Sequence, residues 1–486
     1  MKLLKDILYK VKLSSVIGPT GVLINTIQFD SRKVCDEDLF IAVPGTKSDG
    51  NDYIKDAIEK GAKAILTNSL PSKTFKEITY IKVSDVRQSL AQVASNFYDN
   101  PSHKLNLIGI TGTNGKTTTS TLMYQLFKLF NQKVGLISTN KILINDDEFE
   151  NDLTTPDPLT LNKVLNDMTN SKVKYCFMEV SSHSIQQKRI DGLNFKVGVF
   201  TNLSHDHLDY HKTFKEYRNV KKAFFDSLDP NSVAIINADD KNGEFMIQNC
   251  KSMVIKYAQK TNSNHLLKIL EKDFNGMKIN IDGVEVWTKL IGKFNAYNLL
   301  ATYSLAKNYN FSNSEILNKI SLLDSVAGRF EKVYSKKTNK IGIIDYAHSP
   351  DSIQNILETI NDIKNNSSLI TVIGCGGDRD TKKRPVMGRI AASLSDKVVL
   401  TSDNPRFEDP NIIIEQMLSG IEKKDKHKVY SIVDRKKAIK HACEMSSDHD
   451  VILVAGKGHE KYQIQGTEKN DFDDKLMLKK FLKSKS

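Results

Sequence analysis

Gly109-Ile110-Thr111-Gly112-Thr113-Asn114-Gly115-Lys116-Thr117-Thr118-Thr119 decides how this chain is read. A short apolar run, Leu105 to Ile110, precedes the turn and reads as a buried strand. Ser120 to Phe127 follows and reads as an amphipathic helix. Strand, glycine-rich turn, Lys-Thr and helix is the layout of a phosphate cradle. Glycines let the backbone wrap an anion, and amides at the helix start point at it. The lysine adds a point charge, and the threonine hydroxyl can hold Mg²⁺. The spacing is a variant: five positions before Gly115 stands Ile110, with Gly112 inside the turn. The competing reading is a glycine-bearing turn with a surface lysine. The flanking strand and helix favour the cradle, and with it ATP or GTP.

At 486 residues the chain exceeds one core, and three domains are expected. Apolar content of 39% and charged content of 26% fit an ordinary globular protein. The first ten residues interleave charges with apolar side chains and do not read as a signal peptide. No stretch approaches a membrane span. Five cysteines lie far apart without Cys-x-x-Cys, which fits a reducing, cytoplasmic setting rather than a disulfide framework or zinc ribbon. The net charge of +12 could mark a nucleic-acid partner or polyanionic substrates. Its lysines are spread along the chain, so solvated lysines account for most of the excess.

Three segments separate by pattern. Residues 1–103 hold short strands and turns and end at Asp99-Asn100-Pro101-Ser102. Residues 104–333 alternate strands and helices, with strands expected at Lys133–Ser138, Tyr175–Val180, Val197–Asn202 and Val233–Asn237. Residues 334–486 alternate again, with strands at Ile341–Asp345, Leu369–Gly374, Lys397–Ser402 and Val451–Ala455. Such alternation predicts mostly parallel sheets covered by helices. Each strand of the last segment runs into a polar cluster: Asp345–His348, Gly374–Asp380, Asp403–Arg406 and Gly456–Glu460. Open α/β sheets bind ligands beyond the carboxyl ends of their strands. Helix caps explain one or two such clusters better than they explain four.

Glu179 ends a strand and is followed by Ser181-Ser182-His183. His205-Asp206-His207-Leu208-Asp209-Tyr210-His211 packs three histidines and two aspartates into seven residues. Zinc is conceivable for a His-x-His pair. Beside a phosphate cradle, Mg²⁺ held by carboxylate, threonine and phosphate oxygens is favoured over a merely polar loop. Arg329, at the border of the second and third segments, could reach a transferring phosphate or form an interdomain salt bridge. Lys221 passes as a surface lysine by these criteria.

Together these motifs resemble the Mur ligases, of the MurE type. The resemblance rests on Asp30-Ser31-Arg32, Thr111–Thr118, Met178–His183, Asp206–His211, Asp345–His348, Gly376–Asp380 and Gly456–Glu460. It implies a small α/β N-terminal domain, a central P-loop-type ATPase domain with a mostly parallel sheet, and a Rossmann-like C-terminal domain. It implies an ADP-forming ligase that adds meso-2,6-diaminopimelate to UDP-N-acetylmuramoyl-L-alanyl-D-glutamate through an acyl phosphate. That is a step in peptidoglycan and cell-wall biogenesis. Asp403-Asn404-Pro405-Arg406 resembles the diaminopimelate-using subgroup, since lysine-adding relatives tend to lack the arginine.

By the same resemblance, Gly112, Thr113, Asn114, Gly115, Lys116, Thr117 and Thr118 hold ATP phosphates, and Asn295, Asn298, Arg329 and Asp345 are further ATP contacts. Lys116, Glu179, His207 and Lys221 are the catalytic set. Thr117, Glu179, His207 and Lys221 support Mg²⁺, with Lys221 carboxylated on its side-chain nitrogen. The UDP-precursor falls to Ser31, Thr46, Lys47, Ser48, Thr154, Thr155, Ser181, Gln187 and Arg189. Diaminopimelate falls to Arg379, Asp403, Asn404, Pro405, Arg406, Gly456 and Glu460. Its distal zwitterion needs a cation and an acid, which Arg406 and Glu460 can supply. The expected partners are these two substrates with ATP and Mg²⁺, without nucleic acid or membrane span, the chain acting as a monomer. The competing readings are a lysine-adding relative, a folylpolyglutamate synthetase-like ligase and a basic nucleic-acid-binding NTPase.

Overall fold

The computed structural model describes residues 1–483 apart from 46, 47, 140, 206, 207, 336 and 337, with only the backbone of 208 and 209. Three large sheets follow one another along the chain. The first orders its strands Leu13–Ile17, Thr79–Val83, Ala64–Thr67, Leu39–Ile41 and Ile27–Gln28, parallel except for the first pair. Val86, Leu90 and Val93 of helix Val86–Phe97 pack on its core.

The central sheet has eleven strands. Parallel pairing runs from Val134–Ile137 through Tyr175–Glu179, Asn106–Thr111, Phe195–Phe200 and Val233–Asn237 to Met253–Ala258. Asn106–Thr111, first of these along the chain, lies between Tyr175–Glu179 and Phe195–Phe200. The order of winding therefore reverses beside the cradle, where open sheets bind ligands. One face packs on Leu122, Phe127, Leu299 and Leu300 of helices Lys116–Leu129 and Lys293–Asn308. The other packs on Leu161, Leu165, Phe224 and Phe225 of helices Pro158–Asn170 and Phe214–Asp226. Burial on both faces explains why these strands read as unbroken apolar runs.

Antiparallel pieces extend this sheet at both ends: the hairpin Ile142–Ile144/Asp147–Phe149 and the meander His265–Asp273/Gly276–Ile281/Val284–Thr288. The sequence analysis includes neither; the outermost strands, Asp147–Phe149 and Val284–Thr288, are largely exposed and carry no unbroken apolar run.

The third sheet orders Glu331–Tyr334, Ile341–Asp345, Val451–Ala455, Leu369–Ile373, Lys397–Leu400 and Val429–Ser431. All pairs are parallel except the first. Glu331–Tyr334 straddles the boundary expected after residue 333 and pairs with this third sheet. Arg435 and Asp474, both without exposure, form a two-pronged ion pair at 2.7 and 2.8 Å. Arg435 also donates to the carbonyls of Ser402 and Ala455, tying two strand ends together. A planar guanidinium suits this because it can satisfy a carboxylate and carbonyls at once.

Candidate active site

The cradle is built by close approach. Gly112 has φ +152°, and a Cβ there would stand 1.9 Å from Thr201 Oγ1. Gly115 has φ +85°, and its Cβ would stand 2.5 Å from Asn298 Oδ1. Helix Lys116–Leu129 starts after Gly115 with no side-chain cap, so its first amides remain available to an anion. Lys116 Nζ folds back onto the carbonyls of Gly112 and Thr113 at 2.9 and 2.8 Å. Thr119 Oγ1 donates to Asn298 Oδ1 at 3.1 Å, and Asn298 bonds Asn295 at 3.3 Å, so the expected asparagines stand beside the cradle helix. Helix Lys293–Asn308 likewise begins at a glycine without a side-chain cap.

Arg329 crosses from the third domain and donates to Thr117 Oγ1 at 3.2 Å, with its guanidinium 4.4 Å from the Tyr346 ring centroid. Asp345 accepts from the amides of Phe330 and Ala347. Burial pushes its carboxyl above the usual range although Arg329 lies near. Lys221, 1% exposed, donates to Gly112 O at 2.9 Å and Thr111 Oγ1 at 3.3 Å. It reads as a surface lysine in the sequence, yet it is buried against the cradle.

Glu179 is fully buried at its strand end, opposite Ile110 of the neighbouring strand. It accepts from the Thr139 amide at 2.8 Å and hydroxyl at 3.3 Å. Thr155 Oγ1 donates to Glu179 O, Ser181 N donates to Thr155, and Arg189 donates to Thr155 O and to Gln187. Thr154 joins through Thr139. Five of the expected acceptor contacts thus form one connected group. Ser31 and Ser48 sit on the first domain. Among the described residues no hydrogen bond joins either to that group. Thr46, Lys47 and His207 lie outside the described residues. His205 and His211 diverge: His205 stacks on Phe214, while fully buried His211 bonds Ser182 Oγ at 2.9 Å. Among the described residues no group of three or more His, Cys, Asp or Glu is placed to hold a metal.

All four polar clusters of the third domain meet in one cavity of about 460 Å³. Arg379, Asp403, Asn404, Arg406, Gly456 and Glu460 line it, together with Tyr346 and His348. Thr154 and His205 of the central domain close its other side. Pro405 is not among the lining residues, but its carbonyl lies where a Cβ on Gly377 would stand. Gly456, at φ +115°, leaves room for the Asp403 carboxylate, 2.5 Å from where a Cβ would be. Arg406 is itself left-handed, at φ +52°, and donates to Gly377 O at 2.6 Å. Arg384, fully buried, holds Glu408 and Gly376 O beneath these loops.

Two contributors were not picked out from the sequence. Lys457, fully buried, donates to Asn404 Oδ1 and Glu460 Oε2. Asp351 reaches from the third domain to the cradle, accepting from Asn114 and Ser204. The glycines around Lys457 hinted at tight packing; nothing local marked Asp351.

The chain resembles known proteins along nearly its whole length. The Mur ligase middle domain matches residues 110–306, the Mur ligase, glutamate ligase domain matches 328–458, and the Mur ligase family, catalytic domain matches 23–98. The UDP-N-acetylmuramoyl-L-alanyl-D-glutamate–2,6-diaminopimelate ligase of Cytophaga hutchinsonii is 50% identical over 481 residues, covering 99% of each chain. Its namesake from Phocaeicola vulgatus is 48% identical over 478 residues, covering 98% of each. A solved structure of an enzyme of that name superposes with a TM-score of 0.70 at 29% identity, covering 99% of this chain and 98% of its own.

Proposed function

The chain belongs to the Mur ligase family, and we infer that it is the ATP-dependent ligase adding 2,6-diaminopimelate to UDP-N-acetylmuramoyl-L-alanyl-D-glutamate for peptidoglycan synthesis. The observation that carries this reading is the cavity where Arg379, Asp403, Asn404, Arg406 and Glu460 converge beside Thr154. An amino acid with two ammonium–carboxylate centres needs such a mixed lining. The meso form is the isomer proposed here, and the cytoplasm, whose reducing setting suits five free cysteines, is the proposed location. No described helix is long and apolar enough to cross a membrane.

A carboxylate is not aminated directly, because its oxygen is a poor leaving group. The glutamyl carboxylate attacks the γ-phosphorus of ATP, forming an acyl phosphate and releasing ADP. The diaminopimelate ammonium gives up a proton, and its nitrogen attacks the acyl carbon. The C–N bond forms, the C–O bond to phosphate breaks, inorganic phosphate leaves, and the new amide sheds its second proton. Gly112 to Thr118 cradle the phosphates, and Lys116 swings from its carbonyls onto them. Arg329, already on Thr117, neutralises charge on the transferring phosphoryl group. The Thr117 hydroxyl and buried Glu179 carboxylate are oxygen donors of the kind Mg²⁺ takes beside phosphates. Thr117 would hold one Mg²⁺ and Glu179 with His207 a second, with carboxylated Lys221 in support, and these ions would supply further charge neutralisation. Thr154, Thr155, Ser181, Gln187 and Arg189 orient the acceptor. Arg406 grips the distal carboxylate of diaminopimelate, and Glu460 accepts from its ammonium. Lysine lacks that carboxylate and would leave Arg406 without its partner, which is costly.

ADP release from the purified protein with Mg²⁺, ATP and the acceptor, adding meso-diaminopimelate or L-lysine in parallel, tests this. Release with diaminopimelate alone is expected. Release with lysine would keep the reaction and overturn the role of Arg406. Release with neither would overturn the ligase reading.

A further inference from the structure

In the reading just given, the acyl phosphate forms at the cradle of the central domain while the amine sits in a cavity of the third. The two reactants must meet at about 3 Å, and misplacement by about 1 Å can cost roughly a hundredfold in rate. Something must therefore fix the third domain against the cradle. Asp351 is built to do so. It lies in the first turn of helix Pro350–Asn361, directly after Tyr346, His348, Ser349 and Pro350, which line the cavity. Its carboxylate Oδ2 accepts from Asn114 Nδ2 at 2.7 Å and from Ser204 Oγ at 3.1 Å.

Both donors are hydrogen-bonded into the cradle wall. The Asn114 amide donates to Asn202 Oδ1 at 2.9 Å, and its carbonyl accepts from Thr201 Oγ1 at 2.7 Å. The Ser204 amide donates to Thr113 Oγ1 at 3.0 Å. One carboxylate oxygen thus joins the floor of the amine cavity to two segments of the phosphate cradle. A first-turn aspartate could instead serve only its own helix, where the N-terminal dipole favours an anion. Here Ser349 and Ser352 already form the capping box. A helix-serving aspartate also needs no partner in another domain.

We propose that Asp351 is a positioning residue that seats the amine-holding domain on the phosphate cradle and governs acyl transfer more than acyl activation, since Arg329 keeps its own contact with Thr117 in the cradle. This rests on the ligase reading above. Its signature is uncoupling. With the strut gone, acyl phosphate still forms, but water competes with a misplaced amine, so ADP is released without amide.

The test measures amide formed per ADP released, with saturating ATP, acceptor and meso-diaminopimelate. This ratio does not depend on how much of a variant is folded. The wild type should give a ratio near one. Asp351→Ala should lower it roughly tenfold or more. Asp351→Asn, which keeps an oxygen able to accept from Asn114 and Ser204, should restore most of it. Ser204→Ala, which removes one donor from the opposite side, should lower it by less. A ratio near one in Asp351→Ala would overturn the proposal, as would a ratio equally low in Asp351→Asn and Asp351→Ala. Failure of the wild type to release ADP with its substrates would instead overturn the ligase reading, and the proposal with it.

Discussion

The Lys457 ammonium lies 2.9 Å from the Glu460 carboxylate, and the lysine side chain has no exposure to solvent. The same carboxylate oxygen accepts from Asn404 Nδ2 at 2.9 Å. One side of Glu460 is therefore committed to the protein, and its other oxygen, which accepts no hydrogen bond among the described residues, is the one proposed to meet a ligand ammonium. The lysine fixes where the acid stands.

Breaking this pair should be asymmetric. Glu460→Gln leaves a buried ammonium without its counter-charge, a loss of about 3–5 kcal/mol for fully buried pairs. Lys457→Met removes the buried charge itself, and Glu460, 15% exposed, can turn to water. Urea unfolding should show Glu460→Gln losing about 3 kcal/mol and Lys457→Met clearly less. Equal losses would mean that the pair contributes through packing alone.

Arg406, proposed to grip the distal carboxylate, also braces Gly377 O with its guanidinium. Asp378, two residues before the Asp380 end of the same loop, accepts from the Phe407 amide at 3.3 Å, so the two loops are already laced together. Arg406→Ala should lower kcat/KM for meso-diaminopimelate by roughly ten- to a hundredfold, the scale of a lost charged hydrogen bond. The residual lysine reaction should fall much less. Parallel assays with both amines decide it: equal falls would make Arg406 a loop brace and nothing more.

The parallel strands around both sites were legible because burial on two faces writes an unbroken apolar run, as in Leu107–Ile110 and Val451–Ala455. The cradle was legible because only glycine admits the approach of Thr201 and Asn298. The four polar clusters were legible because they end adjacent strands, so topology alone brings them to one rim. The strand Glu468–Asp471 was not, because every residue in it is exposed and polar. Asp351, Lys457 and Lys221 were illegible for another reason. Each bonds a partner far off in sequence, 237, 53 and 109 positions away, and only the glycines flanking Lys457 leave a local trace.

Lys221 offers a sharp test of the carboxylation proposal. Its nitrogen keeps one N–H after taking up carbon dioxide, enough to go on donating to Gly112 O. The anion so made would face the cradle, where cations are needed for phosphate. Lys221→Ala should lose nearly all ADP release, and added short-chain carboxylates such as formate or acetate should recover part of it. Intact-mass measurement without acid should show one carbon dioxide added to the wild type and none to the variant. Normal activity in Lys221→Ala would remove the proposal.

His459 links stability to pH. Burial, with the charges of Arg329 and Lys457 beside it, pushes its imidazole from 6.5 down to about 3. Nδ1 is buried without a hydrogen-bond partner among the described residues, so no acceptor there stabilises a second proton. Above about pH 6.5 the imidazole is neutral folded or unfolded and contributes no pH dependence. Between about 6.5 and 3 the unfolded chain binds a proton that the fold refuses, so stability falls as pH drops through that window. One unit into it, the loss is of order 1 kcal/mol. His459→Gln is neutral at every pH in the range and removes this contribution. Urea unfolding at about pH 7.5 and pH 5.5 should therefore show the variant losing about 1 kcal/mol less than the wild type on acidification. Other histidines titrate equally in both proteins and cancel in the comparison. Identical losses would mean that His459 accepts its proton in the folded state, and the loop Gly456–Glu460 would then have to open below neutral pH to admit it.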